Sequence, residues 1–403
     1  MIGLASFAIK ASILGLKKAA PTYLGQVATG TFVPNQLHAS NTYSYSRCPH
    51  YARDDIVSLQ IVLPNWYVNA SMVETNGASS ASWTASIEYP VGVFTQVLFS
   101  GNTTGTVLAG SNLISDAVSV SIPRGAKFWT RLYQYATGHM LWNNQYDGDG
   151  TAQLSVGTTA VGCPDYTMGG NGSVCTPQAG GIVAPAAIIA QTSRASIAIV
   201  GDSIAVGTGD IADSSSRQGY LCRAFGGKYA CLNVAVYTDT LQNFVASHTK
   251  RNALIAYASN VVIEYGSNDV VNSRTAAQIL ADTLTIIGYY TGKPVAVCTL
   301  TPRVTSTDSY VTVANQTVLA SEAVRLVVNA QRRNGLSVGS TLGPAFAVFD
   351  IERACESSYL SGKWQVISGT ISPGTASFTD DGVHPNRNGH QAIANAINTS
   401  MFV

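Results

Sequence analysis

The chain has 403 residues, 46% of them apolar and only 11% charged, with a formal net charge of +1. That composition suits a well-buried globular protein of two domains, and with no basic run beyond Lys17-Lys18 and Arg332-Arg333 it argues against a nucleic-acid partner. No uncharged apolar run reaches the roughly eighteen residues that a membrane helix needs, so no membrane span is expected.

Residues 1–25 read as an apolar helix through Ile2, Leu4, Phe7, Ile9, Ile13, Leu14 and Leu16. Lys10 interrupts it and Lys17-Lys18 follow it, the reverse of the charge order of a secretory signal. Such a helix packs on its own domain, on a neighbour or on another chain, which leaves homo-oligomer formation open.

From residue 26 to residue 192 short alternating segments dominate. They include 56–63, Trp83–Tyr89, Phe94–Phe99, Ala117–Ile122 and Ala126–Tyr133, separated by Gly, Asn, Ser and Pro. Period-two alternation at this spacing predicts an antiparallel β-sandwich or jelly roll. Residues 162–194 are rich in Gly, Pro, Ser and Thr and read as a long connection closing this region. Cys163 and Cys175 flank a Gly-rich loop and can be bridged, whereas Cys298 reads as a buried thiol. There is no Cys-x-x-Cys pair or His/Cys cluster, so neither a metal nor another cofactor is expected.

Residues 193–403 change to alternating strands and helices. Strands are predicted at 195–200, 230–236, 260–265, 294–300 and 345–350, and helices near 240–257, 274–290, 311–333 and 387–400. This alternation implies an α/β domain, a parallel sheet covered on both faces. Ligands of such sheets bind beyond the carboxyl ends of the strands. Three polar segments fall at such places or just before a helix. Gly201-Asp202-Ser203 follows the first strand, Gly266-Ser267-Asn268-Asp269 follows the third, and Asp381-Gly382-Val383-His384 precedes the last helix.

The three segments, in this order, resemble the nucleophile, G-x-N-D and D-x-x-H blocks of the SGNH hydrolases, also called GDSL esterases and lipases. The resemblance covers about residues 195–403 and implies a flavodoxin-like three-layer fold with strand order 2-1-3-4-5. It also implies a serine esterase. Ser203 is then the nucleophile, His384 the base and Asp381 the group that orients the imidazole. Oxyanion donors are implied at the Ser203 backbone N–H, the Thr238 backbone N–H and the Asn268 side chain. Position 238 usually holds glycine in the family. A β-branched residue there is strained if the local φ is positive, which leaves the aim of its N–H open.

The pairing of this module with a β-sandwich resembles carbohydrate esterases, implying removal of acetyl groups from a polysaccharide. A general short-chain carboxylesterase or lipase, with a small ester as substrate, is the alternative within enzymes. A non-catalytic glycan-binding or structural protein is the alternative outside them. The sandwich is also similar to those preceding SGNH modules in phage and prophage proteins, which implies an extracellular or virion-associated place with attachment through the N-terminal segment.

Arg303 follows the fourth strand and either lines the substrate cleft or makes a surface ion pair. The literal G-x-S-x-G at Gly335–Gly339 lacks the strand that a nucleophile elbow requires, so Ser337 is read as a decoy. His390 is read as structural. Asp380, next to Asp381, is the competing partner for His384.

Overall fold

The computed structural model describes residues 22–146, 149–335, 347–367 and 377–402. The expected N-terminal helix falls almost wholly outside the described residues, and so does Ser337. The end of that expected helix is corrected: Tyr23–Gln26 is a strand, paired antiparallel with Ala187–Thr192.

The N-terminal half is the expected all-β region. One sheet runs Tyr23–Gln26, Ala187–Thr192, Ile56–Pro64 and Asn112–Ile114, with Val118–Ile122 also pairing to Ile56–Pro64. The other runs Thr104–Val107, Ala81–Glu88, Lys127–Ala136, Tyr43–Tyr51, Gln153–Gly157 and Thr176–Pro177, with Phe94–Gln96 beside Ala81–Glu88. Leu59, Ile61 and Leu63 of the first sheet meet Trp83, Ala85, Ile87, Phe128 and Leu132 of the second in one core. Alternation places these side chains on the inner faces, as two packed sheets require. A disulfide joins Cys163 and Cys175.

Residues 162–194 are not all connection. Ala187–Thr192 is a buried strand in the middle of the first sheet. Ile188 packs into the sandwich core, while Ala187 and Ile189 pack into the core of the C-terminal half. Both faces are covered, so the segment reads as a continuous apolar run without the alternation that would have marked it.

The C-terminal half is built on a parallel sheet in the order Thr31–Phe32, Ala230–Asn233, Ser196–Gly201, Asn260–Glu264, Val295–Cys298 and Ala347–Phe349. The last five follow the implied order 2-1-3-4-5. The edge strand Thr31–Phe32 comes from the N-terminal half, so the two halves share a sheet as well as a core. Apolar clusters fill both faces, one around Val200, Ile263 and Val297, the other around Ile199, Val262 and Cys298.

Two helix expectations are corrected. The stretch 240–257 breaks at Ser247 and His248 into Leu241–Ala246 and Thr249–Ile255. In 311–333 only Glu322–Arg333 is helical, and Gln316–Val318 pairs antiparallel with Val304–Ser306. The β-branched residues of Val311–Val318 disfavour helix. No helix among the described residues is long and apolar enough to cross a membrane.

Candidate active site

The strand Ser196–Gly201 ends where the chain must turn tightly. A side chain at Gly201 would collide with the Glu264 carbonyl and the Ala205 Cβ. Asp202 then caps a short helix, accepting from the Ile204 N–H at 2.9 Å, and Ser203 is its first residue. First-turn N–H groups have no intrahelical acceptor. The Ser203 N–H meets no protein acceptor among the described residues and is free to bind an anion.

Ser203 Oγ lies 2.9 Å from His384 Nε2, and His384 Nδ1 lies 2.6 Å from Asp381 Oδ2. The carboxylate accepts a hydrogen bond from Nδ1–H, which leaves Nε2 as acceptor for the serine hydroxyl. Asp381 Oδ1 accepts from the Val383 and His384 backbone N–H groups, each at 2.8 Å. The turn thus holds both carboxylate oxygens. Partial burial alone would raise the Asp381 pKa, but the hydrogen bonds from the His384 ring and from these two N–H groups outweigh it and hold the carboxyl well below its usual range. Asp380 is turned away, accepting from Asn386 Nδ2 at 2.9 Å. Exposure rises along the relay: Ser203 is buried, the His384 side chain is 21% exposed and that of Asp381 52%.

His390 lies elsewhere and is buried. Its Nδ1 accepts from the Tyr220 N–H at 3.0 Å, and its Nε2 donates to the Thr208 carbonyl at 3.0 Å. These bonds tie the last helix to the segment after Ser203.

Asn268 is fixed at both ends of its amide. Its Nδ2 donates to the Asp239 carbonyl at 3.0 Å and lies 3.5 Å from Asp202 Oδ2, while its Oδ1 accepts from Arg303 Nη2 at 3.0 Å. Arg303 makes no ion pair among the described residues and lines a cavity with Ser267, Leu300 and Thr301. It sets which way the Asn268 amide points. The next residue, Asp269, accepts from the Leu241 N–H at 3.0 Å and so pins the loop that carries Thr238.

Thr238 adopts φ 62°. The strain foreseen for a non-glycine residue is present, at a β-branched position where the left-handed region is least accessible. Its N–H meets no protein acceptor among the described residues. Thr238→Gly is expected to raise stability by about 0.5–1 kcal/mol, relief of strain exceeding the entropy cost of glycine. Denaturant unfolding reads this directly, and a loss of stability would contradict it.

Sequence reasoning missed one buried group. Glu264, inside the apolar run Val261–Tyr265, is a buried carboxyl close to Asp202, the residue that caps the helix beginning at Ser203. A carboxylate in such a run is itself a signal. Burial pushes Asp202 from 3.8 up to about 6, and burial together with the nearby Asp202 charge pushes Glu264 well above its usual range. The folded pair thus keeps protons that the unfolded chain releases near pH 4. Its stabilising contribution is full below pH 4 and is lost as pH rises through about 6. Glu264→Gln removes the buried titrating carboxyl and is expected to stabilise by about 1–3 kcal/mol at pH 8 and by less at pH 5. Equal shifts at both pH values would contradict this account.

The fold and the relay define a class: an α/β domain with a serine, a histidine and a carboxylate hydrogen-bonded in series at the sheet edge. Residues 197–397 match the family described as GDSL-like Lipase/Acylhydrolase, and the C-terminal half is a domain of that family. No curated protein matches the chain. Among solved structures, a member of the lipolytic G-D-S-L family from Veillonella parvula is 17% identical, covering 50% of this chain and 94% of its own, with a TM-score of 0.35. A lipase/acylhydrolase from Enterococcus faecalis is 18% identical over 50% of this chain and 92% of its own, at 0.34. A family two carbohydrate esterase from Clostridium thermocellum, solved as an active-site mutant, is 11% identical over 94% of this chain and 96% of its own, at 0.32.

Proposed function

We propose that the protein is a serine esterase that removes acyl groups, acetyl foremost, from a carbohydrate. The observation that carries the esterase reading is the unbroken series Ser203 Oγ, His384 Nε2, His384 Nδ1, Asp381 Oδ2, at 2.9 and 2.6 Å. His384 takes the Ser203 proton as Oγ attacks the ester carbonyl. The Ser203 and Thr238 N–H groups and Asn268 Nδ2 stabilise the oxyanion. His384 then gives its proton to the leaving alcohol. Water, deprotonated by the same imidazole, attacks the acyl-enzyme, and as the acyl–Oγ bond breaks His384 returns the proton to Ser203 Oγ and the acid leaves. Asp381 stays ionised throughout and stabilises the imidazolium.

Two features support a carbohydrate as the alcohol. The relay opens to solvent at its Asp381 end, which suits an ester projecting from a large polymer. The β-sandwich is joined to the module through a shared sheet, a pairing resembling that of carbohydrate esterases. The test is acetate release from acetylated xylan and an acetylated bacterial capsule, with Ser203→Ala as control. The reading predicts release by the wild type and none above background by the variant. Hydrolysis of p-nitrophenyl acetate without release from any glycan would overturn the carbohydrate assignment.

A further inference from the structure

The hairpin Trp66–Val68/Glu74–Asn76 belongs to the β half by sequence but to the hydrolase half by packing. Trp66, Val68 and Met72 lie in one core cluster with Val234, Val236, Leu241 and Tyr265. Its turn is firmly built. Asn69 Oδ1 accepts from the Ser71 and Val73 N–H groups at 2.8 and 3.1 Å, and Asn69 Nδ2 donates to Thr75 Oγ1 at 2.9 Å. The turn aims Met72 inward, where it is 5% exposed.

Two connections run from this hairpin to the groups assigned as oxyanion donors. The first is direct: Thr238 Oγ1 donates to Met72 Sδ at 3.6 Å. The second passes through buried charges. Glu74 Oε2 accepts from the Lys250 N–H at 2.7 Å, and Glu74 Oε1 accepts from the Arg251 N–H at 2.8 Å and from Arg251 Nε at 3.3 Å. Arg251 Nη1 donates to Asp239 Oδ2 at 2.6 Å, and Tyr265 OH donates to the same oxygen at 2.6 Å. The Asp239 carbonyl accepts from Asn268 Nδ2 at 3.0 Å. The side chains of Glu74, Arg251 and Asp239 are 5%, 0% and 0% exposed, so no solvent loosens the chain.

A threonine at positive φ keeps that conformation only if its surroundings impose it. A glycine at the same position needs no such support. The hairpin contacts both Thr238 and the chain of charges that ends at Asp239, its neighbour. We propose that Met72 and Glu74 are positioning residues, aiming the Thr238 N–H and Asn268 Nδ2 at the oxyanion, and that the β half is thereby part of the esterase site. This deepens the reading above and rests on its assignment of Ser203, Thr238 and Asn268.

The test uses the full chain with p-nitrophenyl acetate. Met72→Ala is expected to lower kcat about tenfold with KM within about twofold, because a misaimed donor weakens the transition state and not the ground state. In a Thr238→Gly background the same substitution is expected to cost less than about threefold, since glycine takes the positive φ unaided. Glu74→Gln is expected to lower kcat about tenfold or more, again at near-constant KM. Equal loss from Met72→Ala in both backgrounds makes its role merely structural and overturns the proposal. A folded Glu74→Gln with wild-type kcat also overturns it. If Glu74→Gln does not fold, the Met72 cycle decides alone. Ser203→Ala separates the failures. Activity retained by that variant removes the assignment on which the proposal rests. An inactive Ser203→Ala beside fully active hairpin variants removes only the hairpin's role.

Discussion

His384→Ala is expected to lower kcat for ester hydrolysis by about 10⁴–10⁶-fold with the folded structure intact. The ring touches both Ser203 Oγ and Asp381 Oδ2, so its loss leaves the serine hydroxyl without a base and the leaving alcohol without an acid. Ser203→Ala removes the nucleophile and should cost about as much. The double variant should be little worse than either single one, because the two groups act as one unit. Removing Asp381 should cost less, since both the serine nucleophile and its imidazole base remain. Stability should barely respond, as His384 lies outside the apolar core clusters. Steady-state kinetics of the three single variants and the double variant, with circular dichroism of each, checks the pattern. Strictly multiplicative losses would contradict a concerted relay.

Asn268→Ala is the second large effect, with an expected fall in kcat of about 10²–10³-fold and little change in KM. The amide sits in a partly buried frame of hydrogen bonds from Arg303 and to the Asp239 carbonyl. Preorganised dipoles of this kind are worth most where charge develops, at the oxyanion, and little in the ground state. Arg303→Ala should produce a smaller loss of the same kind. It leaves the donor in place but frees the amide to turn. A KM effect exceeding the kcat effect in Asn268→Ala would place the residue in substrate binding instead.

The segments that carry the chemistry were legible because they are local. Gly201-Asp202-Ser203, Gly266–Asp269 and Asp381–His384 each sit where a strand or helix boundary announces itself in a few residues. The five strands from 196 to 349 were legible for the same reason, as short, mostly apolar buried runs. What escaped was long-range. Nothing within Thr31–Phe32 indicates that it joins a sheet whose neighbouring strand is Ala230–Asn233. Ala187–Thr192 lost its alternation because both its faces are covered. The pairing of Glu264 with Asp202 and the grip of Arg303 on Asn268 depend on which strands are neighbours. Position 238 lay between these cases. Its departure from glycine was visible in the sequence, whereas its φ of 62° and its contact with Met72 required the fold.

The central claim is that Ser203 is a nucleophile activated by His384. A serine-directed fluorophosphonate, followed by intact-mass and peptide mass spectrometry, tests it without knowledge of the natural substrate. A single adduct on Ser203 is expected, with no adduct in Ser203→Ala and labelling slowed in His384→Ala in step with its loss of kcat. An unlabelled wild type, or equal labelling of Ser203→Ala, would contradict it.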